Sequence, residues 1–176
     1  MISSLRPAIE PNAKMTLQKL NRILSALELK LSPVMTAALL ALLMWFLARN
    51  TAGFSLQPAA RMGVCAALIA LGTAIALAGV WSFRKARTTV NPWRVHASSE
   101  LVVSGIYRRT RNPMYVGLLL ALLGWGVYLA NAFPLLLAFA FIPYMNRFQI
   151  IPEERALQKA YGEDFLNYCH RVRRWL

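Results

Sequence analysis

Three stretches of this chain carry no charged side chain: Leu31 to Ala48, Met62 to Phe83 and Asn112 to Asn146, of 18, 22 and 35 residues. At about 1.5 Å of rise per residue, each of the first two is long enough for one helix through a hydrocarbon layer roughly 30 Å thick. The third is too long for a single crossing. Asn131-Ala132-Phe133-Pro134 interrupts it with turn-forming residues, which predicts a tight helical hairpin. A hydrophobic content of 57% agrees with a membrane protein. The expected fold is all-α, a polytopic membrane helical bundle in one domain, with four transmembrane helices over 31–48, 62–83, 113–131 and 133–151. An N-terminal interfacial segment (1–30), a long loop (84–112) and a C-terminal cytoplasmic helical tail (152–176) complete it.

The formal net charge is +13, and its placement matters more than its size. Lys and Arg concentrate before the first window, between the second and third (Arg84, Lys85, Arg87, Arg94, Arg108, Arg109, Arg111) and in the tail (Arg155, Lys159, Arg171, Arg173, Arg174). The first connection has only Arg49 and Arg61, and the hairpin turn has none. That alternation is what the positive-inside rule gives for four spans with both termini in the cytoplasm. The same residues would attract anionic membrane lipids. No aromatic-and-basic recognition motif accompanies the charge, so nucleic acid is not an expected partner. Cys65 lies inside the second span and Cys169 in the tail, which argues against a disulfide, and with only His96 and His170 besides, no metal site is expected. The first thirty residues show no cleavable signal peptide, so targeting would fall to the first span.

Leu17, Leu20, Ile23, Leu24, Leu27 and Leu31 recur at helical spacing among basic residues, predicting an amphipathic helix at the interface or packed on the bundle. In the second span, Gly63, Ala67, Gly72, Ala76 and Gly79 would let another helix approach closely. The 28 residues from Arg84 to Arg111 exceed what two adjacent helices need, and their apolar content (Val90, Trp93, Val95, Ile106, Tyr107) predicts that the loop folds back on the helix ends. Leu101-Val102-Val103 favours extended backbone and Ser104-Gly105 a turn.

Chemistry is expected where the third span begins. Asn112 is placed as N-cap and Pro113 at the first helical position, so free backbone N–H groups and Arg111 together suit an anionic group such as a carboxylate. Ile151-Pro152-Glu153-Glu154 reads as a second helix start, and topology returns it to the same face. Its acids either complement the helix dipole or face the amino group of a zwitterion held between the two starts. Arg147, the one charge in the apolar part of the last span, either snorkels to water or faces the bundle interior and holds an anionic acceptor or the carboxylate of such a zwitterion.

Leu101-Val102-Val103-Ser104-Gly105-Ile106-Tyr107, then Arg111-Asn112-Pro113-Met114-Tyr115-Val116-Gly117, then Glu153-Glu154 with Leu157, Tyr161-Gly162, Tyr168 and Val172, resembles the isoprenylcysteine carboxyl methyltransferase and phospholipid methyltransferase group. Ala86 to Pro92 is similar to the segment that bacterial members carry ahead of it. The resemblance implies an integral membrane enzyme that transfers a methyl group from S-adenosyl-L-methionine to a lipid-like or membrane-embedded acceptor, in the bacterial inner membrane with its active site on the cytoplasmic side. It implies cofactor contacts at Leu101, Val102, Val103, Tyr107, Arg111, Asn112, Pro113, Tyr115, Glu153 and Glu154, with Arg147 and Glu154 as candidate catalytic residues. Many members have histidine at the position of Asn112, which leaves capping and hydrogen bonding for this side chain. Tyr115 is read as a site residue and Gly117 as packing. On this reading Glu154→Gln and Tyr115→Ala weaken cofactor binding in a folded protein. Two other readings are a membrane reductase resembling the sterol C14 reductases, which would bind NADPH, and a non-catalytic scaffold.

Overall fold

The computed structural model of the chain describes residues 28–86 and 101–176. Most of the expected amphipathic helix, and Val90, Trp93, Val95 and the Arg87–Pro92 part of the bacterial-type segment, lie outside them. Among the described residues every regular element is helical: α1 Pro33–Asn50, α2 Pro58–Lys85, a 3-10 turn Gly105–Arg108, α3 Pro113–Leu129, α4 Ala132–Ala138, α5 Phe141–Met145, a π turn Asn146–Ile150 and α6 Ile151–Arg171. Proline opens α1, α2 and α3, where its missing N–H has no helical partner to lose. Ser32 also caps α1, its Oγ accepting from the Met35 N–H at 3.2 Å.

Three helical stretches are long and apolar enough to cross a membrane: Pro33–Asn50, Pro58–Lys85 and the near-continuous run Ala132–Arg171. The fourth apolar helix, α3, has only 17 residues. Leu42, Phe46, Leu77 and Trp81 are each more than half exposed on the outer faces of α1 and α2. Contiguous exposure of large apolar side chains is what a lipid-facing surface requires and a soluble domain avoids.

The tightest helix contact joins α2 to α3. A Cβ at Gly72 would lie 2.6 Å from the Gly117 carbonyl oxygen, and one at Gly117 would lie 2.5 Å from the Gly72 oxygen. Backbones meet here because neither position has a side chain. Gly117→Leu is expected to cost about 3 kcal/mol or more by overpacking, read as a fall in Tm in detergent. Gly63→Leu on the same helix as Gly72 should be neutral, since nothing lies within 4 Å of its added Cβ.

At one end of the bundle, Ala130 takes a left-handed conformation (φ 49) to end α3. Asn131 then caps α4 through Oδ1, accepting from the Phe133 N–H at 3.0 Å, while its Nδ2 donates to Thr51 Oγ1 at 2.8 Å. The expected hairpin turn thus also fastens the α1–α2 connection.

Two sequence expectations change beyond that turn. The stretch 133–151 is not one regular helix: Pro143 has no N–H for the Phe139 carbonyl, and the chain tightens, with Ile142 N–H donating to Phe139 O at 3.1 Å. Nor does a helix begin at Pro152. Ile150 and Ile151 are both right-handed helical, and the chain runs through the π turn straight into α6. A proline inside a helix clashes with the carbonyl four residues earlier, and the wider π turn makes room for it. Glu153 and Glu154 therefore sit inside a helix, without free N–H groups before them.

Gly162 bends α6 with φ 53 and ψ −123, a conformation that side chains rarely allow. The bend carries Phe165 and Tyr168 over Val102 and Tyr107, with which they form a second apolar cluster.

Candidate active site

Where the 3-10 turn, the α3 start, the π turn and α6 converge, the structure encloses a cavity of about 720 Å³. Its polar lining includes Tyr107, Arg111, Asn112, Tyr115, Gln149, Glu153, Glu154 and Tyr168. Its apolar lining includes Val34, Leu77, Leu118, Leu157 and Phe165. Val34 and Leu77 are 65% and 62% exposed, so this wall continues onto the outer, lipid-like face of the bundle.

The two sequence clusters expected to meet do so, with unequal roles. The Tyr115 hydroxyl donates to Glu153 Oε1 at 2.6 Å. The acids are neighbours in sequence, so they leave the helix about 100° apart: Glu154 turns the other way, bridging Arg111 Nη2 at 2.6 Å and Arg174 Nη2 at 2.6 Å. Arg111 Nη1 donates to the carbonyls of Cys169 (3.1 Å) and Val172 (3.0 Å), covering acceptors that the C-terminal end of α6 leaves unpaired. Among the described residues Arg111 Nε is buried without a hydrogen-bond partner.

Asn112 occupies the N-cap position of α3, but its side chain makes no cap; Nδ2 donates instead to the Arg174 carbonyl at 2.9 Å. Arg111 N–H reaches the Arg173 carbonyl at 3.0 Å, and Trp175 Nε1 donates to Asn146 Oδ1 at 3.0 Å. The chain end is thereby tied across the α3 start. Tyr168 Oη donates to the Tyr107 carbonyl at 2.7 Å, fixing the 3-10 turn beneath it.

Glu153 stands two residues past the apolar run that ends at Ile151. Burial pushes its carboxyl up to about 7; the Tyr115 hydroxyl pulls in the opposite direction and the neighbouring Glu154 carboxylate pushes it further up. No arginine or lysine among the described residues pairs with it.

Of the expected contacts, Leu101, Val102, Tyr107, Arg111, Asn112, Tyr115, Glu153 and Glu154 line the cavity. Val103 is not part of the lining and is 38% exposed, while Pro113 packs where a Cβ on Gly79 would lie 2.9 Å from its ring. Arg147 does not reach the cavity: it pairs with Glu28 and lies over the Phe148 ring at 5.4 Å. Gln149, Phe165 and Arg174 belong to the site or its frame and went unmarked by sequence reasoning. Arg174 reads there only as one more basic residue of the tail.

The phospholipid methyltransferase family matches residues 60–164, more than half of the chain. An uncharacterized protein of Haemophilus influenzae is 43% identical over 63 residues, which cover 36% of this chain and 100% of that protein. No solved structure matches the chain.

Proposed function

Since the chain belongs to the phospholipid methyltransferase family, we propose that it transfers a methyl group from S-adenosyl-L-methionine to a lipid-like acceptor. The observation that carries this reading is Glu153, a buried acid that lines the cavity and accepts from Tyr115 but has no cationic partner among the described residues. A buried carboxylate in that state suits an ammonium group. Arg111 Nε, buried and unpartnered, suits a carboxylate on the same small molecule. S-adenosylmethionine presents both groups and supplies an activated methyl on its sulfonium.

The residues then act by placement. Tyr115 orients the Glu153 carboxylate, and Arg111, held by Glu154 and two backbone carbonyls, offers its remaining N–H from a fixed position. Phe165 and Leu157 keep water from the apolar wall, and the exposed lip at Val34 and Leu77 lets a hydrophobic acceptor arrive from the bilayer. An in-line displacement asks for orientation of two reactants and exclusion of water. An amine acceptor would also lose a proton, to water or to a carboxylate not engaged by the ammonium.

The same reading has four crossings, with α3 the short one, and places the cavity and the basic helix ends on the cytoplasmic side of a bacterial inner membrane. Basic residues support that orientation: among the described residues Arg84, Lys85, Arg108, Arg109 and Arg171 lie at the cavity end, and only Arg49 and Arg61 near the other.

Titration calorimetry with S-adenosylhomocysteine across pH 6 to 8 tests the assignment. Affinity should rise as pH passes about 7, because only ionised Glu153 attracts the ammonium. Apo stability runs the other way: the fold favours the protonated acid, so the contribution of Glu153, full below 4.5, fades as pH climbs through about 7. Absence of binding, or affinity flat in pH, refutes the placement.

A further inference from the structure

The cavity has a lip built from the segment that leads into α1 and from the first residues of α1. Leu29, Leu31, Pro33 and Val34 line the cavity on the side open to the outer face. Their seat follows from Pro152. An α-helix would give the Phe148 carbonyl the N–H of residue 152, which proline lacks; the Leu29 N–H donates there instead, at 3.0 Å. Gln149 Nε2 donates to the Leu31 carbonyl. Between these two bonds Leu29 sits at φ 59, a left-handed conformation unfavourable for leucine and held by its surroundings.

Glu28 anchors this strap. Its carboxylate pairs with Arg147 and with both oxygens on Arg155 Nη2 at 3.0 Å. Burial pushes its carboxyl up, and the two arginines outweigh that and hold it below the ordinary carboxylate range. The Glu28 side chain is 13% exposed, whereas those of Arg147 and Arg155 are 34% and 58% exposed. Two guanidinium groups thus face outward on either side of Ile151, where the apolar run ends, and guanidinium binds phosphate as it binds carboxylate.

We propose that Arg147 and Arg155 form a lipid-phosphate site that Glu28 occupies at rest, and that a phospholipid displacing Glu28 there releases the strap and opens the cavity to its headgroup. The phosphate site stands on its own geometry; only the use of the opened cavity rests on the methyl-transfer reading.

The test uses the full chain in maltoside micelles, which contain no phosphate, and follows amide hydrogen exchange over residues 28–34. Lysophosphatidylglycerol should speed exchange of this segment about tenfold, and inorganic phosphate at equal concentration should not. Arg155→Gln, at an exposed position, should abolish the lipid response. Glu28→Gln should leave the strap exchanging fast without lipid and bind lysophosphatidylglycerol about tenfold more tightly, since the competing carboxylate is gone. A strap still protected at saturating lipid, an equal response to inorganic phosphate, or an undiminished lipid response in Arg155→Gln would overturn the proposal. Calorimetry with S-adenosylhomocysteine on the same samples separates the two ideas: its failure would sink the methyl-donor reading and leave the exchange results standing.

Discussion

Glu154→Ala is expected to unfasten the C-terminal tail and lower stability by about 3–5 kcal/mol, the usual cost of stranding one partner of a buried ion pair. Glu154 neutralises two arginines at once. Arg174, a third exposed, can turn to water when the acid is removed. Arg111 cannot: its side chain is 12% exposed and two of its hydrogen bonds go to carbonyls at the end of α6. An uncompensated guanidinium would remain inside, with only the Cys169 and Val172 carbonyls to accept from it. The measurements are Tm in detergent and protease cleavage after Arg171 or Arg173. Arg111→Met in the Glu154→Ala background should recover part of the loss, because it removes the stranded charge. Wild-type Tm and an uncut tail in Glu154→Ala would show that the three charges carry no structural weight. Glu154 lines the cavity and also fastens its frame, so the loss of binding expected for Glu154→Gln is to be read together with its Tm.

The large features were legible because they depend on local pattern. Charge-free windows mark α1 and α2, proline marks the start of α3, and Asn131 marks the turn that follows it. The meeting of Arg111 and Tyr115 with Glu153 and Glu154 was legible as well, since topology alone returns both segments to one end. What escaped depends on distant partners. Glu28 and Arg147 are 119 residues apart, and no spacing rule connects them. Pro152 misled for a related reason: the Pro-Glu-Glu sequence is that of a helix start, but a π turn absorbs the proline and the helix continues. Which of two adjacent acids would be free was equally hidden, because it depends on Arg174 returning across α3 after the bend at Gly162.

That division of labour between adjacent acids makes Glu153→Gln the sharpest probe of chemistry. The side chains are nearly isosteric, and glutamine can still accept from the Tyr115 hydroxyl, so the packing that holds α6 to α3 should survive. The fold gains rather than loses, since an acid raised to about 7 by burial is replaced by a neutral amide. Affinity for S-adenosylhomocysteine should fall roughly 10- to 100-fold at pH 8, the range expected for losing a charge-assisted hydrogen bond of about 1.5–3 kcal/mol. The remaining affinity should no longer depend on pH near 7. Tyr115→Phe should be milder, because it removes the group that orients the carboxylate and leaves the carboxylate itself. If Glu153→Gln bound as tightly as the wild type at pH 8, the ammonium would have to be held elsewhere, and the Glu153 carboxylate would be left to take a proton from the acceptor.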